Sequence, residues 1–275
     1  MLETMAHKQQ RAESRDRMPV LFVGHGSPMN AIEDNRWNRG FTALRDLLPR
    51  PAAILAISAH WYVKGSYVTA NTQPPTLHDF GGFPQALHDI DYPAPGDLDL
   101  VESVRELLGK THIQLSDGWG LDHGVWSVLR CMYPQADIPV VQLSIDRELD
   151  VRQHFSIGQS LAELRNKKIL IMASGNVVHN LQDAFQQMQS GTAATPDWAS
   201  RFDEAVKQAV LEHDIEMLLS LWPNSPYAQQ AHPTPEHWLP LIYAIGAANK
   251  SDRVHFPTEG FDWGSLSMRS IIFGS

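Results

Sequence analysis

A chain of 275 residues has room for one large α/β domain or two small ones, and 43% hydrophobic content suits an ordinary globular core. With 22 basic against 31 acidic residues the formal net charge is −9, which argues against nucleic acid or an anionic membrane surface as the main partner. The single cysteine, Cys131, rules out an intrachain disulfide and a cysteine-based zinc site, and no apolar stretch approaches the roughly 18–20 residues that span a bilayer. Residues 1–17 are polar, mix both charge signs and lack the apolar segment of a signal peptide. They read as a flexible extension before a single domain over 18–275, and in the absence of any address the expected compartment is the cytoplasm.

In chain order, Pro19 to Val23 reads as the first buried strand, and Gly24-His25-Gly26-Ser27-Pro28 is the turn at its end. Phe41, Leu44, Leu47 and Leu48 recur at helical spacing and predict a helix from Trp37 to Leu48, stopped by Pro49 and Pro51. Ala52 to Ser58 is almost wholly apolar, as a strand covered on both faces should be, and Tyr67 to Ala70 reads as a third strand. Residues 73–97 hold eight Pro and Gly residues, which predicts a long irregular loop. Phe80, Phe83, Leu87 and Tyr92 make it too apolar for disorder, so it is expected to pack over the cleft.

Leu98 to Leu108 predicts a helix, Ile113 to Leu115 a short strand, and Trp119 to Gly124 a turn leading into a helix from Val125 to Met132. Strands are expected at Pro139 to Ile145 and Lys168 to Ala173, with a helix from Val151 to Leu164 between them. Helices follow over Leu181–Gln189, Trp198–Leu211, Ile215–Leu221 and Glu236–Ala248. Ser267 to Phe273 closes the chain with an alternation that reads as an edge strand. The alternation of strands and helices predicts an α/β fold: a mainly parallel, mixed central sheet flanked by helices, with its site at the C-terminal edge of the strands.

Three histidines follow predicted buried strands: His25, His60 two residues past Ser58, and His179 beyond Ala173. Imidazoles delivered to one sheet edge are the raw material of a metal site. His237, near a helix start in Thr234-Pro235-Glu236-His237, joins them, because a helix N-terminus keeps an imidazole neutral. Pro240 either kinks that helix or delays its start, and His232 and Glu236 are rivals in the same segment. His179 reads as a fourth ligand or a general acid/base, and His123 in Asp122-His123-Gly124 is similar. Trp61 and His78 are candidate walls of a substrate pocket. A glycine-rich phosphate loop and a Gly-X-Ser-X-Gly elbow are both absent from the sequence.

Gly24-His25-Gly26-Ser27-Pro28, Ser58-Ala59-His60-Trp61, Asp122-His123-Gly124, Ser174 to Asn180 and Pro233 to His237 together resemble the class III extradiol ring-cleavage dioxygenases, in the branch similar to DOPA 4,5-dioxygenase. The likeness runs from about Met18 to the C-terminus. It implies a non-haem metal enzyme that opens a small aromatic diol with O₂ to a ring-opened semialdehyde. His25, His60 and His237 would be ligands of one divalent metal, His179 the acid/base, and His123 a donor to substrate or oxygen. The wider class completes its metal site with a carboxylate where this branch has His237. Three imidazoles are typical of zinc, whereas two His and a carboxylate indicate Fe(II) oxygen chemistry. Fe(II) is therefore expected for turnover and Zn(II) as the ion found bound. The rival readings are a three-histidine zinc hydrolase and a metal-containing binding protein without turnover; oligomeric state stays open.

Overall fold

The computed structural model describes residues 17–192 and 194–274; the expected N-terminal extension therefore lies, Arg17 apart, outside the described residues. The elements in order are β1 (Val20–Gly24), α1 (Arg36–Leu47), β2 (Ala53–Val63), β3 (Ser66–Thr69), α2 (Gln85–His88), α3 (Leu98–Leu108), β4 (Ile113–Ser116), α4 (His123–Met132), β5 (Val140–Asp146) and α5 (Val151–Leu161). There follow β6 (Ile169–Gly175), α6 (Leu181–Ser190), α7 (Asp197–Leu211), α8 (Ile215–Asn224), α9 (Ala228–Ala231), α10 (Leu239–Ala247), β7 (Arg253–Thr258), β8 (Phe261–Asp262), β9 (Leu266–Ser267) and β10 (Ser270–Gly274). No helix among the described residues is long and apolar enough to cross a membrane.

Eight strands form one mixed sheet in the order β4-β3-β5-β2-β6-β1-β10-β7. Its centre, β5, β2, β6 and β1, is parallel throughout, and β10 runs antiparallel to β1 and β7. Successive side chains of a strand point to opposite faces, so the central strands feed two cores. Val20, Phe22, Leu55 and Ile57 pack under α10 on one face. Leu21, Val23, Ile54 and Ala56 pack against α1 and α4 on the other. Full burial of each such aliphatic side chain stabilises the fold by roughly 1.5–3 kcal/mol, which explains why these strands lack the polar alternation of a half-exposed sheet.

Four sequence expectations are corrected. The last strand, Ser270–Gly274, is internal: all five residues are buried between β1 and β7, and the edge is the unexpected strand β7. Its Ile271-Ile272-Phe273 run is apolar on both faces, which is the pattern of a covered strand. Strand β2 does not stop at Ser58 but continues through His60 to Val63. Helix α4 starts at His123, two residues early, with Asp122 as the residue before it. Helix α10 starts at Leu239, later than Glu236, so that Pro240 occupies its first turn, where a missing N–H costs no helical bond. The 73–97 loop packs as expected, with Leu87 and Tyr92 buried and Phe80 and Phe83 against the α1/α4 core.

Candidate metal centre at the edge of the sheet

Three adjacent parallel strands, β2, β6 and β1, deliver histidines to one rim. His25 directly follows β1, its N–H donating to Gly175 O at 3.1 Å. His60 rides on a bulge: between the pairs Ile57–Leu143 and Tyr62–Ile145, β2 advances five residues while β5 advances two. The surplus residues leave the ladder and turn His60 toward the rim. His179 lies four residues beyond β6. Its N–H donates to Ala231 O at 2.8 Å, and Asn180, capping α6 through Asp183 N–H, ends the loop behind it.

His237 arrives from the turn before α10, where its carbonyl accepts Asn176 N–H at 3.0 Å. That approach requires Gly175, since a Cβ there would sit 2.4 Å from His237 O. Gly124 does the same for α4, whose first turn would otherwise press Ser58 Oγ at 2.7 Å and His60 Cδ2 at 3.0 Å.

The ring centroids of His25, His60 and His237 form a nearly equilateral triangle with sides of 5.0, 5.2 and 5.3 Å. An ion bound by imidazole nitrogens at 2.0–2.1 Å in tetrahedral geometry separates ring centres by about 5 Å. By ligating atoms the grouping differs: those of His25, His60 and His123 lie within 4.8 Å of one another, which makes His123 the rival third ring. Its ring, however, is only 3.9 Å from that of His60 and 5.8 Å from that of His25. His179 stacks face to face on His237, with centroids 3.4 Å apart and planes 5° from parallel, and His179, His237 and Glu236 also lie within 4.8 Å by their ligating atoms.

Hydrogen bonding fixes which nitrogens are free. Ser174 Oγ donates its one proton to Gly124 O at 2.6 Å, so it accepts from His25 Nδ1 at 2.9 Å. His25 therefore carries its proton on Nδ1 and a bare Nε2, which lies 3.2 Å from His60 Nε2. His237 Nδ1 lies 3.3 Å from Glu236 Oε1, itself held by the Thr234 hydroxyl at 2.8 Å. His237 Nε2 is buried with no hydrogen-bond partner. A buried polar atom without a partner is costly, and a bare imidazole nitrogen is a metal-ligating atom. These three rings fit a divalent ion.

Burial, followed by the neighbouring imidazoles, pushes His25 and His237 well below the ordinary imidazole pKa. His60 is likewise lowered by burial and by His123, against the pull of Asp79. All three are neutral at pH 7, as metal ligands must be. His179 is lowered to about 3 by burial and then by His232 and His123.

Around this centre lie two carboxylates, Asp79 and Asp122, to which sequence reasoning gave no role. Asp79 Oδ2 is 3.4 Å from His60 Nδ1, while Oδ1 accepts the His123 backbone N–H at 2.9 Å and touches His123 Nδ1 obliquely at 3.0 Å. Burial pushes Asp79 up, but hydrogen bonds and charge from His123 and then His60 outweigh it and hold it at about 2. Asp122, the sequence neighbour of His123, binds elsewhere: it accepts from Ser58 Oγ at 2.8 Å and from Gln142 Nε2. Burial and the Asp79 charge raise it to about 6.

His232 Nε2 donates to Val177 O at 2.8 Å and ties down the His179 loop. His78 donates through Nε2 to Ile90 O at 3.0 Å and stands behind Phe80, whose ring is 5.5 Å from His123. Trp61 stacks on Trp119 at 5.2 Å and beside Tyr67 at 6.5 Å, so its ring neighbours are these aromatics and not the histidines. The available signals for Asp79 and Ser174 were weak: an acidic residue in an apolar loop, and a serine at a strand end.

Residues 19–274 match the model of the LigB family, described as the catalytic LigB subunit of aromatic ring-opening dioxygenase. A protein of Escherichia coli named 4,5-DOPA dioxygenase extradiol is 47% identical over 268 residues, 95% of this chain and 96% of that one. Its namesake in Beta vulgaris is 36% identical over 93% of this chain and 96% of that one. A crystal structure of an uncharacterized Escherichia coli protein superposes with a TM-score of 0.82 at 42% identity, covering 94% of this chain and 100% of the other.

Proposed function

The chain belongs to the LigB family of aromatic ring-opening dioxygenases, and from that premise we propose that it opens a catechol bearing a DOPA-like side chain, with O₂, at a metal held by His25, His60 and His237. The observation that carries this reading is the regular triangle of those three ring centroids, together with the unpartnered Nε2 of His237. The names of the relatives supply the substrate class. Residues 18–275 would act as one catalytic unit.

The ion, when bound, supplies Lewis acidity toward the two catechol oxygens and a redox route to O₂. Zn²⁺ has no redox chemistry, so Fe(II) is the proposed turnover metal. Zn(II) binds nitrogen sites more tightly than Fe(II) and is the ion expected in the protein as purified.

His179 is proposed as the acid/base. It is unprotonated at neutral pH, as a group that accepts a proton must be. Its face-to-face stack on His237 argues against a fourth ligand, because in-plane lone pairs of parallel rings 3.4 Å apart do not converge on one point. His123, with its Nδ1 side turned to Asp79, keeps Nε2 for substrate or oxygen. Phe80 covers His123 with His78 behind it, while Trp61 stacks on Trp119 apart from the histidine rings.

The test is to strip the protein of metal, load it without oxygen with Fe(II) or Zn(II), and offer a panel of catechols with an oxygen electrode. Oxygen uptake matched to catechol consumption is expected with Fe(II) and none with Zn(II). Uptake with zinc alone, or hydrolysis of esters without oxygen, would overturn the proposal.

A further inference from the structure

Two imidazoles of the site share one carboxylate. Among the described residues the ion-pair partners of Asp79 are His60 and His123, with no lysine or arginine. Its two oxygens are divided between them, and Oδ1 also holds the His123 backbone N–H. An ionised carboxylate accepts hydrogen bonds and never donates them. A bare His60 Nδ1 turned toward Oδ2 would set lone pair against lone pair, so the proton of that neutral ring belongs on Nδ1, whereas His123 is held to Asp79 through its backbone N–H.

We propose that Asp79 is a positioning residue that sets the tautomer of His60, keeping its proton on Nδ1 so that a bare Nε2 faces His25 and the ion, and that it ties His123 to the same setting. Ser174 does this for His25 from the other side. The two rings then meet Nε2 to Nε2 at 3.2 Å with a proton on neither atom. Such a contact is repulsive until a cation lies between the two lone pairs. Asp79 thus couples the 73–97 loop to the metal: where the loop goes, the tautomer of a ligand follows. Outer partners of this kind alter metal affinity by about 10–100-fold when lost. The inference rests on the metal reading above.

Asparagine is the informative substitution. Its amide offers one acceptor and one donor where aspartate offers two acceptors. With the acceptor kept on the His123 backbone N–H, the NH₂ group faces His60 Nδ1 and drives the proton to Nε2, into the path of the ion. Alanine leaves His60 free to choose. A tautomer-setting role therefore makes Asp79→Asn more damaging to metal binding than Asp79→Ala, whereas a simple loop anchor makes alanine the worse of the two.

The experiment reads imidazole tautomers by long-range ¹H–¹⁵N correlation in metal-free protein and Zn²⁺ affinity by competition with a chromophoric chelator. Expected results are Nδ1–H at His60 in the wild type, Nε2–H in Asp79→Asn, and a 10–100-fold loss of zinc affinity in that variant, exceeding the loss in Asp79→Ala. Nε2–H in the wild type overturns the proposal without any variant. So does an Asp79→Asn protein with unchanged tautomer and affinity, or one that binds zinc better than Asp79→Ala. Wild-type protein that binds no zinc counts against the metal reading instead, and the tautomer measurement still judges Asp79.

Discussion

His25, His60 and His237 rest on the rim of the parallel sheet, each placed by main-chain register: the end of β1, the bulge of β2, and a carbonyl bonded to Asn176 over Gly175. Asp79, Phe80 and His123 reach the same rings from an irregular loop and a helix start, held by side-chain contacts. The comparison separates two tasks. The sheet half has little freedom to move, because any shift must break ladder bonds or buried packing, and it presents the nitrogens proposed to hold an ion. The loop half is cheaper to displace and is suited to orienting rings, admitting substrate and handling protons.

Substitutions should respect this division. The largest effect is expected in the sheet half, where His25→Ala or His60→Ala should drop bound metal from about one per chain to near zero by elemental analysis; full occupancy in either would break the comparison. Next is His179→Ala, which should retain its metal while turnover falls by about 10²–10⁴-fold, the usual contribution of a positioned acid/base. Loss of metal in that variant would make His179 a ligand.

A smaller effect is expected from Gly175→Ala. Its new Cβ, 2.4 Å from His237 O, must push the ligand segment away, at a cost of about 1–3 kcal/mol. Thermal unfolding and zinc titration should both weaken. Gly118→Ala, which meets nothing within 4 Å, should leave both unchanged.

The smallest effect lies outside both halves. His154 is buried on Tyr243 OH at 2.9 Å, and burial lowers it to about 4. Its folded pKa lies below the ordinary 6.5, so the unfolded chain binds the extra proton between those values. Its stabilising contribution is full above pH 6.5 and is lost as pH falls toward 4, amounting to no more than about 3 kcal/mol. His154→Gln should flatten the stability profile by about one proton between pH 4.5 and 6 in chemical denaturation. An unchanged slope would mean that the ring is not buried neutral.

The same division explains what was legible in the sequence. Apolar runs ending in histidine identify two members of the sheet half, His25 and His60, because a buried parallel strand needs a continuous apolar stretch and its end must meet the site, whereas His237 follows no strand. Val20 to Val23 and Ile54 to Ile57 show this plainly. The bulge that carries His60 was not legible as one, since Ser58 and His60 interrupt the apolar run and read as the strand's end. Asp79 was hidden for a different reason: no periodicity links position 79 to 60 and 123, and only the packed loop brings them together. Adjacency to His123 told nothing of Asp122, whose carboxylate turns to Ser58 and Gln142. Strand β10 looked like an edge because the strand covering it, β7, carries Arg253 and His255 and gave no strong apolar signal.

The account depends most on which third imidazole joins His25 and His60, and one comparison decides it: the zinc content of metal-free His237→Ala and His123→Ala after equilibration with one equivalent of Zn²⁺ and gel filtration. The expected result is about one ion per chain retained in His123→Ala and almost none in His237→Ala. Zinc kept by His237→Ala and lost by His123→Ala would contradict the assignment.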